Sequence, residues 1–107
     1  MFQCAQDIIL KYAGTDELKD ALETGMSYLE DIKRSGLSPE YKRISALRAV
    51  DVIYAGMRIF FRENWDSGNP EAIVRCLNTK QKNITNYVKK VFNISPEDCG
   101  NWVSGLI

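Results

Sequence analysis

The chain has 107 residues, of which 45% are hydrophobic and 26% charged, and its 14 basic and 14 acidic residues cancel. This balance is typical of one globular domain spanning residues 1–107, and it excludes disordered and fibrous proteins. A net charge of zero argues against bulk binding to nucleic acid or membrane, although a balanced total can hide an uneven layout.

The hydrophobic pattern predicts four main helices. Residues 2–13 place apolar side chains on one face, and residues 16–34 carry them at alternating steps of four and three. Residues 39–63 form the most apolar stretch. Residues 70–92 carry a fourth apolar face, whose pattern weakens at 78–80 and is compatible with a kink or break there.

A short helix from Pro96 to about Val103 is predicted to close the chain. No stretch alternates with period two, so we predict no sheet. Because the connections are short, neighbouring helices are expected to be antiparallel. The predicted fold is all-α, a compact antiparallel bundle of four main helices plus a short C-terminal helix.

A recurring tripeptide predicts where three of these helices begin. A residue that can cap the helix is followed by proline, which lacks the N–H that a first turn leaves free, and then by glutamate at the positive helix end. The three copies are Ser38-Pro39-Glu40, Asn69-Pro70-Glu71 and Ser95-Pro96-Glu97. Glycines at 14, 36 and 68 are the matching stops.

The third predicted helix carries charges within its apolar run. Arg48, Asp51, Arg58 and Arg62 lie on one narrow strip of this helix, and Arg48 and Asp51 are spaced to pair. We expect the remaining faces, including Ile44, Val52 and Ile59, to contact neighbouring helices, so that this central helix meets water along one edge. A more specific hypothesis is that Arg58 and Arg62 form a binding edge for a carboxylate or phosphate.

The charges are unevenly distributed along the chain. The helix at 16–34 is acidic, whereas residues 75–90 contain five cations and no acid: Arg75, Lys80, Lys82, Lys89 and Lys90. These cations could pair with the acidic helix or remain solvated, could meet an acidic protein partner, or could bind a phosphate backbone. Nucleic-acid binding through this segment is the alternative functional hypothesis.

Cys4, Cys76 and Cys99 are odd in number and widely spaced, so we predict free thiols rather than a disulfide framework. Free thiols suit a reducing compartment. The first residues do not form a secretory signal, and no run is long and uncharged enough for a transmembrane segment. A cytoplasmic or nuclear location is therefore expected.

The residue types give little support to catalysis. The chain has no histidine, which removes Ser-His-Asp and Cys-His sites, and no phosphate-binding loop motif occurs. Asp16, Asp20 and Glu23 share one helical face that could hold magnesium, but the helix at 39–63 offers only Asp51 opposite them. We predict no enzyme activity, no cofactor and no metal site.

The C-terminal tail is apolar, with Trp102, Val103, Leu106 and Ile107. It could fold back on the bundle, mark a domain boundary or dock into a neighbouring copy. Together with Arg58 and Arg62, these residues are the predicted partner-binding set. The leading hypothesis is a non-enzymatic protein–protein interaction domain that binds a protein or a second copy of itself, within an intracellular or viral protein.

Overall fold

The computed structural model describes residues 16–66 and 69–106, with side chains at 22–66 and 69–104. Helix α1 spans Asp16–Arg34, α2 spans Pro39–Asn64, α3 spans Pro70–Phe92, α4 spans Pro96–Cys99, and a 3-10 helix spans Trp102–Leu106. These residues contain no strand, so the all-α prediction is confirmed for them. The helix predicted at 2–13 lies outside the described residues.

Two of the three predicted helix starts are capped as expected. The Tyr41 N–H donates to the Ser38 hydroxyl at 3.4 Å, and the Ala72 N–H donates to Asn69 Oδ1 at 3.1 Å. The prediction is wrong for the side chain of Ser95, whose hydroxyl donates instead to Glu97 Oε2 at 2.6 Å. Helix α4 begins there without a side-chain cap.

Helix α3 runs without a break through residues 78–80, so a break there is ruled out. Thr79 is accommodated because its hydroxyl donates to the Arg75 carbonyl at 3.0 Å. The helix ends at Asn93, which adopts the left-handed conformation with φ of 57°. The Ile94 N–H then bonds the Val88 carbonyl at 3.4 Å, a C-terminal motif that asparagine tolerates better than most residues.

The single helix predicted from Pro96 to about Val103 is divided in two. Gly100 has a φ of 70° and donates its N–H to the Glu97 carbonyl. This conformation favours glycine and ends α4 after one turn. The chain therefore changes direction and enters the 3-10 helix at Trp102.

Helix α2 is central to the core. Its buried residues share one face, and α1, α3, α4 and the 3-10 helix all pack against it. Val50, Ile53 and Met57 of α2 have no exposed surface, and neither do Leu29 of α1 and Ile73 of α3. Burying these apolar side chains contributes about 1.5–3 kcal/mol each before the entropy cost is counted.

The cysteines differ in state. Cys99 is a buried free thiol, whereas Cys76 is disulfide-bonded. The prediction of free thiols is therefore wrong for Cys76. A disulfide also removes the support that free thiols gave to a reducing compartment, and the cellular location stays a prediction.

No helix within the described ranges 16–66 and 69–106 is long and apolar enough to cross a membrane.

Candidate protein-interaction surface

The outer face of α2 carries a continuous row of side chains on the side away from the core. Successive members are mostly three or four residues apart, and they therefore follow one line along the helix. We call this row the α2 stripe; it comprises Tyr41, Ile44, Arg48, Asp51, Val52, Ala55, Ile59 and Arg62. Ala55 is half-buried and the other members are exposed.

The apolar members of the stripe are exposed to an unusual degree. The exposed fractions are 64% for Tyr41, 49% for Ile44, 54% for Val52 and 44% for Ile59. Single exposed apolar residues are ordinary on a protein surface, but a row of them along one helix is less common and makes this face a candidate interaction surface.

This exposure corrects the expectation that neighbouring helices cover Ile44, Val52 and Ile59. The buried residues of α2 all lie on its opposite face, where the other described helices pack. The periodicity predicted one charged edge on this helix and apolar side chains on its other faces. It does not show which of those faces are covered by neighbouring helices. Three isoleucine and valine side chains therefore lie among the charges instead of behind them.

The charged members of the stripe face outward. Arg48, Asp51 and Arg62 are exposed. Within the described part of the chain, Arg48 and Asp51 do not form the ion pair that their spacing allows. Both charges are thus positioned on the same surface as the apolar side chains.

Arg58 makes a contact within the fold. Its side chain is half-buried, and Nη1 donates to the carbonyl oxygen of Trp102 at 3.4 Å. This bond links α2 to the 3-10 helix. Arg58 and Arg62 lie four residues apart on the same helix, and binding of a carboxylate or phosphate by the two stays a prediction.

A notch of about 280 Å³ adjoins the stripe between α1 and α2. Tyr28 of α1, which is 54% exposed, lines it together with Val52 and Arg48 of the stripe. Gly25 forms its floor, because a glycine lets α1 approach α2 closely. The notch widens the exposed apolar surface around the middle of the stripe.

Trp102 lies in the core and not on a binding surface. Its side chain has no exposed area, and its indole N–H donates to Asn78 Oδ1 at 2.9 Å. Its backbone N–H donates to Gln81 Oε1 at 3.1 Å, and its ring meets Phe61 edge-on with centroids 5.7 Å apart. Of the three fates considered for the tail, the structure shows Trp102 folding back on the bundle.

The other predicted tail residues are placed only in part. Val103 is half-buried and packs against the core. The side chains of Leu106 and Ile107 lie outside the described residues. Binding of a partner through these two residues remains a prediction.

The five cations of the basic segment separate into two groups on α3. Arg75, Lys82 and Lys89 are exposed and lie seven residues apart on one line. Lys90 is also exposed, and it lines a groove of about 350 Å³ together with Lys80, which is half-buried. Burial lowers the pKa of Lys80 below its ordinary value.

The contact between the acidic and basic helices is made by a tyrosine. The Tyr87 hydroxyl of α3 donates to Glu30 Oε1 of α1 at 2.7 Å. Glu30 Oε2 also lies 3.8 Å from Arg34 Nη2 of the same helix. Asn78 of α3 accepts a hydrogen bond from the Trp102 indole N–H through Oδ1.

The acidic face considered for magnesium is described only at Glu23, which is exposed, because the side chains of Asp16 and Asp20 lie outside the described set. Among the described residues, no three His, Cys, Asp or Glu side chains are grouped to hold a metal ion.

Sequence reasoning identified the charges of the stripe but missed its apolar members Tyr41, Ile44, Val52 and Ile59 as surface residues. The signal was present: Ile44, Val52 and Ile59 each lie three or four residues from Arg48, Ala55 or Arg62, and Tyr41 lies seven residues before Arg48. All four therefore lie on the strip that was predicted to meet water. No family model, no curated protein and no solved structure matches this chain.

Proposed function

We propose that this chain is a non-enzymatic protein-interaction domain that binds its partner through the α2 stripe. The observation that carries the proposal is the exposure of Tyr41, Ile44, Val52 and Ile59 in one row. Arg48, Asp51 and Arg62 lie in the same row. Protein interfaces combine both kinds of side chain, since burial of apolar groups drives association and charged groups set orientation.

The residue types at the two ends of the stripe also support the binding of a protein partner. Tyrosine and arginine are the residues that most often dominate the energy of an interface. Tyr41 and Arg62 stand at the two ends of the stripe, with Ile44, Val52 and Ile59 between them. An arginine that presents a planar fork suits a carboxylate or an aromatic ring on a partner.

The test compares two variants that change exposed apolar residues to glutamate. Val52→Glu places a charge at the centre of the stripe, whereas Leu37→Glu changes a residue of similar exposure, 46%, outside it. Each protein is immobilised, captured proteins are identified, and the affinity of each purified candidate is measured. We expect Val52→Glu to weaken binding by about 30-fold, as for loss of a hot-spot residue, and Leu37→Glu to leave it unchanged.

A partner that binds both variants as tightly as the unaltered chain would overturn the assignment of the stripe. So would the absence of any binding that depends on the stripe, whether to another protein or between copies of this chain. Circular dichroism of both variants verifies that the helices are retained.

Nucleic-acid binding is a second candidate, and one observation favours it. Arg75, Lys82 and Lys89 form an exposed line on α3. Three phosphate contacts would make the logarithm of affinity fall with the logarithm of salt concentration at a slope of about −2 to −3. A flat salt response, or unchanged affinity when Lys82 and Lys89 become glutamine, would exclude this function.

We also propose that the three long helices run antiparallel. Short connections support this arrangement. Pro39, at the start of α2, lines the same cleft as Phe92, at the end of α3. Nuclear Overhauser contacts between these two residues are expected; contacts from Pro39 to the start of α3 instead would contradict it.

A further inference from the structure

We propose that the α2 stripe binds the α2 stripe of a second copy of this chain, with the two α2 helices antiparallel. This inference rests on the proposed function, because it names the partner of the same surface. The partner is identified by the spacing of the residues along the stripe, which is the same in both directions, and by the chemistry of the side chains that this spacing brings opposite each other.

Two antiparallel helices face each other at residues whose numbers add to a constant, because both advance by the same rise per residue. In the stripe, the numbers 41 and 62, 44 and 59, 48 and 55, and 51 and 52 each add to 103. A two-fold axis between residues 51 and 52 therefore brings every member of the stripe opposite another member.

The paired side chains are chemically compatible. Ile44 meets Ile59 of the second copy, so the two most hydrophobic positions bury each other. Arg48 lies opposite Ala55, a large side chain against a small one. Tyr41 lies opposite Arg62, where a guanidinium can stack on the aromatic ring.

The central charges are complementary in this arrangement. Asp51 of the second copy lies one helical turn, about 6 Å, from the position directly opposite Arg48. An arginine side chain spans that distance, so each Arg48 reaches the Asp51 carboxylate of the other copy. One such pair lies on each side of the two-fold axis. The arginines neutralise the two Asp51 carboxylates, which the symmetry places near each other.

The length and charge of the surface also suit a second copy. The stripe from Tyr41 to Arg62 extends over about 32 Å of helix, and the notch beside Tyr28 and Val52 adds apolar surface near the axis. The formal net charge of zero means that two copies carry no overall repulsion. Dimers with one two-fold axis are the commonest symmetric assemblies.

The first experiment measures molar mass against protein concentration by light scattering and sedimentation. The unaltered chain and Leu37→Glu are expected to dimerise, while Val52→Glu weakens dimerisation by about 30-fold. The variant side chain is exposed in the single chain, so retained helicity separates a lost interface from a lost fold.

The second experiment tests the charge pairs with two single variants. Arg48→Asp brings four carboxylates to the axis, and Asp51→Arg brings four guanidiniums, so neither variant should dimerise alone. Mixed together, they restore both opposite-charge pairs, and a heterodimer is expected from the mixture only.

The third experiment tests the direction of the helices. Ile44→Cys and Ile59→Cys are mixed under mild oxidation, and peptide mapping locates the cross-link. A bond between residue 44 of one copy and residue 59 of the other is expected. Bonds between equal positions would show parallel helices and overturn the arrangement.

The remaining outcomes separate this inference from the proposed function. The chain could stay monomeric at all concentrations and bind another protein in a manner that Val52→Glu abolishes. This result would overturn self-association through the stripe, while the proposed interaction domain would be supported. A dimer that is unaffected by Val52→Glu, with no rescue in the charge mixture, uses a different surface and overturns both assignments of the stripe.

Discussion

Gly25 of α1 lies directly against Ile53 of α2. A Cβ atom added at Gly25 would stand 2.6 Å from Ile53 Cδ1 and closer still to Cγ1. Ile53 has no exposed surface, so it has no free space into which to retreat. The distance between the two helices is therefore set by the absence of a side chain at residue 25.

We expect Gly25→Ala to destabilise the fold. Overpacking at this contact costs about 1–3 kcal/mol, more than the roughly 1 kcal/mol that alanine gains over glycine within a helix. Urea unfolding should show a lower free energy of unfolding. Gly36→Ala is the control, because no atom lies within 4 Å of its added Cβ; equal destabilisation by both would contradict the close approach.

Asn78→Ala should destabilise the C-terminal segment by about 1–3 kcal/mol, because it leaves the buried indole N–H of Trp102 without its acceptor. Trp65, which is 56% exposed, is first replaced by phenylalanine so that fluorescence reports Trp102 alone. Acrylamide should then quench Trp102 more readily in the Asn78 variant. Asn86→Ala, which changes an exposed residue of the same helix, should alter neither the stability nor the quenching of Trp102.

Tyr54→Phe should be neutral or stabilising by up to about 1 kcal/mol. The Tyr54 hydroxyl is buried, and no described residue provides it with a hydrogen-bond partner. Burial raises the pKa of Tyr54 above its ordinary value. The free energy of unfolding from urea titration provides the test; a loss above about 1 kcal/mol would show that the hydroxyl has a partner.

Tyr87→Phe should change how stability depends on pH. The Tyr87 hydrogen bond holds the pKa of Glu30 below its ordinary value, while burial, followed by the bond to Glu30, raises the pKa of Tyr87 to about 12. The Glu30 contribution is present above the ordinary carboxyl pKa and is lost as pH falls through the lowered one. The Tyr87 contribution is present below the ordinary tyrosine pKa and is lost as pH rises toward about 12.

Carbon-detected NMR titration of the Glu30 carboxyl measures the first effect directly. In Tyr87→Phe the pKa of Glu30 should rise toward its ordinary value, and stability should decline less between neutral and acid pH. Tyr28→Phe serves as the matched change at an exposed tyrosine. A Glu30 titration that is identical in all three proteins would rule out the hydrogen bond.

Alkylation should distinguish the two described cysteines. Cys76 is buried and disulfide-bonded, so it is expected to react with iodoacetamide only when the chain is both unfolded and reduced. Cys99 should react after unfolding alone, since it is buried and burial raises the pKa of its thiol. Peptide mapping measures both; labelling of Cys76 in the unfolded, unreduced protein would contradict the disulfide.

Capping residues and prolines predicted the starts of the helices well, because they act on the backbone within a few residues. The proline after Ser38 and after Asn69 set the starts of α2 and α3 where the structure has them. The apolar pattern also predicted the end of α3 at Phe92. The left-handed cap at Asn93 was not predicted, because asparagine gives a weaker signal there than glycine.

Contacts between distant parts of the chain were not predictable in the same way. The burial of Trp102 depends on Asn78 and Gln81, which are more than twenty residues away and show no periodic relationship to it. The exposure of Val52 and Ile59 depends on which side of α2 its neighbours occupy. Periodicity defines the faces of a helix, but packing decides which of them is covered.

The burial of Trp102 has a consequence for synthesis of the chain on the ribosome. Residues 39–92 are synthesised before Trp102, whose indole packs against Phe61. Until that indole is available, this part of the core of α2 lacks its partner. A stop codon just before residue 102 should therefore release a chain that is helical but prone to degradation.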